Sequence, residues 1–460
     1  MATTKTRAGT GAKVRKRDTG ETGNRGEFGT VTRGEADVAV TKQGAAPQLG
    51  EDVEIDPSAR IYDSVAIGDD AVIGADVTIG PDATIGEGVV VGDGSTIGGG
   101  ARIEDGARLV EAVTVGEDVT VGEDSTIQAR ATLGDGAVLG EEVSVGTESR
   151  IGRDVQIEPD TRIGADVSLD EGATVGEASE IEDRAKVRHS GRIGAQATIG
   201  KSAELQAGTV IGDDSIIGSR SRLEGTFGDG LRVGSRSRLL GEATWGHDVE
   251  VGDAVKVQVD QRSRFADGTE LADNASLSNT CVRGELSMGE GATVAGGKEN
   301  HCTLGDGVVI GAGASLNGAI RVRDGVEVGE SAQLDGPTHR NPENLTTELD
   351  ADCEVLDRAR IRPGVRLGER TFIGSSTEIG TQVVTGAGTE FGSRAAVGDF
   401  SRLNGSVVSD GARIGQGVET GHGADVGERA VIEDNAVVET YAHVPDDGYV
   451  PRSAVITEPR

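Results

Sequence analysis

Aromatic residues are nearly missing from this 460-residue chain, which has one Trp, three Tyr and six Phe, 2% in all. A core built on large rings is excluded. Cysteine is equally scarce. Cys281, Cys302 and Cys353 are an odd number, widely spaced and without a C-x-x-C pair, which supports neither a disulfide framework nor a zinc cluster. Reduced, mostly buried thiols are expected. No apolar run approaches the length that spans a bilayer as a helix, so a transmembrane helix is not expected. The stretch Met1 to Arg17 is basic but has no apolar segment, so it does not read as a secretory signal. A soluble, cytoplasmic protein is the expectation.

Lysine is the next shortage. Only eight are present, and four of them (Lys5, Lys13, Lys16 and Lys42) lie near the N-terminus. The total of 45 basic residues faces 78 acidic ones for a net charge of −33. Such an acidic, lysine-poor surface is similar to that of proteins from salt-in halophiles, where concentrated cations screen like charges over a few ångströms. It also argues against nucleic acid as a partner, because phosphate binding needs clustered Lys and Arg.

What the chain has in abundance is glycine, 73 residues, and a period. Stepping by six from Leu49 to Leu223, thirty successive positions are Ile, Leu or Val. At the chain's apolar frequency, chance would produce this with a probability on the order of 10⁻¹⁴. Six is neither a helical period nor simple strand alternation. The unit Ile67-Gly68-Asp69-Asp70-Ala71-Val72 is typical: an aliphatic anchor, a glycine, two turn-prone residues, a small residue and a variable one. It reads as a short strand with an inward aliphatic followed by a tight bend. Three units make one triangular coil, and coils stack about 4.8 Å apart into three parallel sheets. Glycine is expected at the corners for its conformational freedom. The small residue four after each anchor (Ala71, Val77, Ala83, Val89) is expected to fill the remaining interior.

After Leu223 the register slips and recovers, with the largest excess between Leu334 and Leu349, nine residues more than one hexad. The resulting division is a disordered basic tail (1–46), a regular solenoid (47–224), a less regular one with insertions (225–348), a further solenoid (349–443) and a C-terminal run-out (444–460). The fold class is all-β, a single-stranded parallel β-helix of about 22 coils. The tail carries nine basic and five acidic residues and is the segment able to meet a membrane surface or an acidic partner.

The repeat resembles the hexapeptide-repeat, or isoleucine-patch, β-helix superfamily, and its strict hexads favour the left-handed coil of the acyltransferase-type members. That resemblance implies two chemistries to look for. A γ-class carbonic anhydrase site needs two His five residues apart followed by Gly-Cys-x-Ile-Gly. The nearest match is Asn300-His301-Cys302-Thr303-Leu304-Gly305, where His301 is the metal-ligand candidate but the partner positions hold Ala295 or Gly296. An acyltransferase needs a His as general base on an acceptor hydroxyl or amine. The candidates are His339, in the longest insertion, and His422, in Gly421-His422-Gly423. The run Pro445-Asp446-Asp447-Gly448-Tyr449-Val450-Pro451 resembles the end of hexapeptide acyltransferases. No phosphate-cradling loop or Rossmann turn is present, and no cofactor is expected.

Two stretches, Val309 to Ile320 and Ser401 to Ser406, resemble bactofilins, polymer-forming β-helical cytoskeletal proteins that pair a β-helix with a flexible tail. The expected function is therefore a non-enzymatic scaffold or filament-forming protein that self-associates. The alternative is an acyltransferase-like enzyme, and a carbonic-anhydrase-like one ranks below it.

Overall fold

Each hexad folds as one two-residue strand and one corner, and each of its six positions has a distinct job. A computed structural model describes residues 46–240, 243–259, 263–296, 302–337 and 346–457. The chain divides into two compact units, Met1–Leu223 and Glu224–Arg460. Among the described residues there is no helix, the strands pair in parallel, and they stack as about 22 turns of a β-solenoid.

In the first unit thirty strands run from Gln48–Leu49 to Arg222–Leu223 at six-residue intervals. Within the unit, strands three apart in sequence pair: Ala66 and Ile67 lie beside Thr84 and Ile85, which lie beside Arg102 and Ile103. Three faces result, each an aliphatic ladder on the inside. Ile73, Val121, Ile127 and Leu205 are fully buried, and so are Ala71, Val77, Ala83 and Val89 four residues after their anchors. Two inward residues per hexad, mostly aliphatic, already fill the interior of this unit, so it needs no rings. Leu49, on the first described strand, pairs with Ile67 and is 43% exposed.

The corner separates two roles that the Asp-Asp dipeptide conceals. The second turn residue takes the left-handed conformation: φ is 54° at Asp70, 53° at Asp124 and 61° at Arg130. The first turn residue keeps ordinary φ and reaches back one coil. Asp69 Oδ1 accepts the Glu51 amide at 2.6 Å, Asp105 that of Glu87 at 2.7 Å and Asp135 that of Glu117 at 3.1 Å. The glycine after the anchor has a different reason from the one expected. Its φ is not left-handed; a Cβ at Gly68 would stand 2.7 Å from the Glu87 nitrogen in the next coil. Close approach of backbones, not corner conformation, selects glycine there.

At several corners where the inward residue is Ser, its hydroxyl is satisfied between coils. Ser125 Oγ donates to the Gly140 carbonyl and accepts the Val143 amide, both at 3.0 Å, and Ser149 and Ser179 repeat the arrangement. Buried hydroxyls with both partners cost little. The polar anchor Thr385 is handled likewise, accepting the Gly368 amide at 3.0 Å beside the Thr371 hydroxyl at 3.1 Å.

The second unit is less regular. Ser276–Val282 is a seven-residue strand that turns at Asn279 (φ 48°), so Ser276 to Ser278 pair with Thr293 to Ala295 while Thr280 to Val282 pair with Cys302 to Leu304. Pairing also shows the nine-residue excess: Val322 lies beside Leu349, one and a half coils along the sequence instead of one. Two-residue strands resume at Glu354–Val355 and continue through His443–Val444, Tyr449–Val450 and Val455–Ile456, so the coil extends into the stretch read as a run-out. Cys281, Cys302 and Cys353 are free and buried; burial pushes the Cys302 thiol up to about 12 and Cys353 up to about 11, which keeps both protonated and inert.

The interior of the second unit does hold rings: Phe391 is a fully buried anchor, and three others stack. Phe227, Trp245 and Phe265 are consecutive anchors on one face, buried and stacked, with centroids 5.5 and 3.8 Å apart. Trp245 is the only tryptophan and so reports on this unit alone. Phe265→Ala is expected to destabilise the second unit by about 3–5 kcal/mol through the cavity and lost stacking. Urea unfolding followed by Trp245 emission measures it; an unshifted midpoint would show that the stack contributes nothing.

Candidate functional site

Solenoid geometry places outward residues in columns, so the neighbours of a side chain lie three hexads away, not beside it in sequence. In places a column sets opposite charges one coil apart. Arg188 stands between Asp170 (3.7 Å) and Glu204 (2.9 Å), and Glu204 also faces Arg222 at 3.9 Å. The hydrogen bond from Arg188 holds the Glu204 carboxyl below the usual range. Arg429 grips Asp447 through two 2.8 Å contacts, Nε to one oxygen and a terminal nitrogen to the other. These pairs are solvent-facing and stabilise modestly.

Of the three histidines singled out from sequence, His301 and His339 lie outside the described residues. His422 is the first residue of an exposed corner. Its ring lies over Gly405 of the preceding coil, where a Cβ would come within 2.6 Å of Nδ1, and meets Tyr441 of the following coil edge-on at 6.0 Å. The residues that sequence reading missed are on the adjoining face. Asp425 and His443 are outward neighbours on paired strands, and His443 Nδ1 lies 3.0 Å from Asp425 Oδ2. A carboxylate only accepts, so Nδ1 is the donor in this contact, and in the neutral ring Nε2 would then carry the lone pair. That is the orientation a general base requires. The signal was a spacing of three hexads, invisible to a search for local motifs.

His247 is built differently. Its Nδ1 accepts the Asp229 amide at 3.1 Å, one coil back, so it fills the position that Asp fills at other corners. Among the described residues no three His, Cys, Asp or Glu side chains are grouped to hold a metal ion.

The family model of the GMPPB C-terminal domain matches residues 49–148 and 137–227. Solved structures similar to the chain include a UDP-N-acetylglucosamine acyltransferase from Bacteroides fragilis, at 19% identity over 34% of this chain and 66% of that one, with a TM-score of 0.24. The O-acyltransferase from Moraxella catarrhalis matches at 20% identity over 37% of this chain and 66% of that one, TM-score 0.20. The acyltransferase from Campylobacter jejuni matches at 19% over 41% and 68%, TM-score 0.16. The chain thus spans just under two thirds of the first two. The hexapeptide-repeat resemblance holds for the solenoid of residues 49–227, the part that the family model matches.

Proposed function

We propose that the chain is a non-enzymatic, self-associating scaffold, bactofilin-like in role, working in the cytoplasm of a halophile. The observation that carries this reading is the unbroken first unit. From Gln48 to Leu223 no residue leaves the coil, so every side chain either fills the core or stands on an outer face or corner. Catalysis needs a concave place where several groups converge on one substrate. A chain that runs through thirty strands without one loop excursion offers a long, regular surface instead. The basic segment at the N-terminus would supply contact with a membrane or an acidic partner, and the −33 charge calls for high salt.

One observation favours the acyltransferase-like reading, the His443–Asp425 pair, which would take a proton from an acceptor hydroxyl or amine as it attacks an acyl thioester. A single experiment separates the two. Purified protein in molar KCl is examined by electron microscopy and sedimentation, then incubated with an acyl thioester and common acceptors while thiol release is followed. Under the scaffold reading His443→Ala assembles like the wild type and neither protein releases thiol above background. Turnover that His443→Ala cuts by about 10²-fold or more would replace the scaffold with an enzyme.

A further inference from the structure

We propose that the first-turn aspartates Asp183 and Asp434 are proton-sensitive latches between successive coils, so that these corners let go in acid before the aliphatic ladders do. The backbone leaves one corner amide to be satisfied by a side chain. The second turn residue donates its N–H to a carbonyl one coil back, as Gly106 does to Glu87 at 2.8 Å. At many corners the first turn residue's own amide is instead taken by an aspartate from the coil that follows. Asp183 accepts from Ala165 (3.1 Å), Asp253 from Ser235 (2.6 Å), Asp399 from Thr381 (2.7 Å), Asp434 from Gln416 (2.9 Å) and Asp446 from Glu428 (2.8 Å). The direction never reverses in these pairs: the aspartate lies in the later coil.

A hydrogen bond to an ionised acceptor is about twice as strong as a neutral one. For Asp183 and Asp434 the backbone amide is the foremost cause holding the carboxyl below its ordinary value. The other groups facing Asp183 are Lys201, 3.2 Å away in the next coil, with Arg184 and Glu182 beside it in the chain. Those facing Asp434 are Arg452, 2.6 Å away in the next coil, and Glu433, whose carboxylate accepts the Arg452 amide. A depressed folded value means that the latch is fully formed above the unfolded value near 3.8 and is lost as pH falls through the lower folded one. Release therefore belongs below about pH 4.

The test compares the full chain with Asp434→Asn, Asp434→Ala and Arg452→Gln, reading hydrogen exchange at Gln416, corrected for the intrinsic rate, beside sheet circular dichroism. Asparagine keeps an acceptor oxygen but cannot titrate, and at low pH it matches protonated aspartate in charge. In the wild type, protection of the Gln416 amide is expected to fall about tenfold between pH 5 and pH 2.5, ahead of the loss of sheet signal. Asp434→Asn should flatten that fall to under about threefold, Asp434→Ala should lose protection already at pH 7, and Arg452→Gln should keep the acid response. Coincident acid curves for wild type and Asp434→Asn would overturn the proposal. So would unchanged protection in Asp434→Ala at neutral pH, an acid response abolished by Arg452→Gln, or an Asp434→Asn chain that does not fold.

Discussion

Leu139→Asp is expected to collapse several coils of the first unit. Leu139 is 1% exposed and sits in the inner ladder between Val121 and Ile157, the anchors one coil before and one coil after it. The substitution removes a packed aliphatic and puts a carboxylate in its place with no amide within the ladder to receive it. The packing loss alone is worth about 2–5 kcal/mol, and burial of an unpaired polar group adds to it. Because each coil touches only its neighbours, the damage should be local and spread outward by lost stacking. Hydrogen exchange resolves this: amides from the coils around residue 139 should lose protection by at least about 10³-fold, while Trp245 emission in the second unit stays as it was. A Leu139→Asp chain with wild-type protection would mean that the position faces solvent.

The ladder was legible from sequence because an inward aliphatic every six residues has one geometric solution. Ile67, Val121, Leu205 and Ile432 need no other context, and each is buried. The polar anchors Thr385 and Thr420 fitted the same register, but what keeps them there is not local. Thr420 donates to the Ser406 hydroxyl at 2.9 Å, across to the preceding coil. The acidic corners were read as a solvated surface, and charge counting cannot do better. Asp69 and Asp70 are adjacent and identical, yet the side chain of one accepts the Glu51 amide while the backbone of the other holds a left-handed φ. The histidines show the same limit from the other side. His422 drew notice for its local setting, whereas His443 and Asp425 looked ordinary until stacking made them neighbours. Composition reports residue types; function in a solenoid follows columns.

Two glycines in one corner separate the two uses of that residue, and alanine at each should give very different results. At Gly92, which follows the anchor Val91, an added Cβ would overlap the carbonyl oxygen of Val110 in the next coil. That atom is backbone, so relief requires the coils to part. At Gly94, the second turn residue, φ is 70° and nothing lies within 4 Å of the added carbon. Alanine there bears only the cost of the left-handed conformation, roughly 1–2 kcal/mol. The protein itself tolerates this, since Ala112 and Ala178 hold φ of 52° and 55° at equivalent corner positions. Overpacking against an immovable neighbour costs about 1–3 kcal/mol and occasionally more, and here it also disrupts the pairing of successive coils. Gly92→Ala is therefore expected to lower the unfolding midpoint of the first unit by clearly more than Gly94→Ala, and to expose amides in coils on both sides of residue 92. Thermal unfolding of the two variants in the same high-salt buffer, followed by circular dichroism, makes the comparison. Equal losses would mean that glycine serves the corner for its conformation at both positions, and that the close approach of successive coils gives way easily.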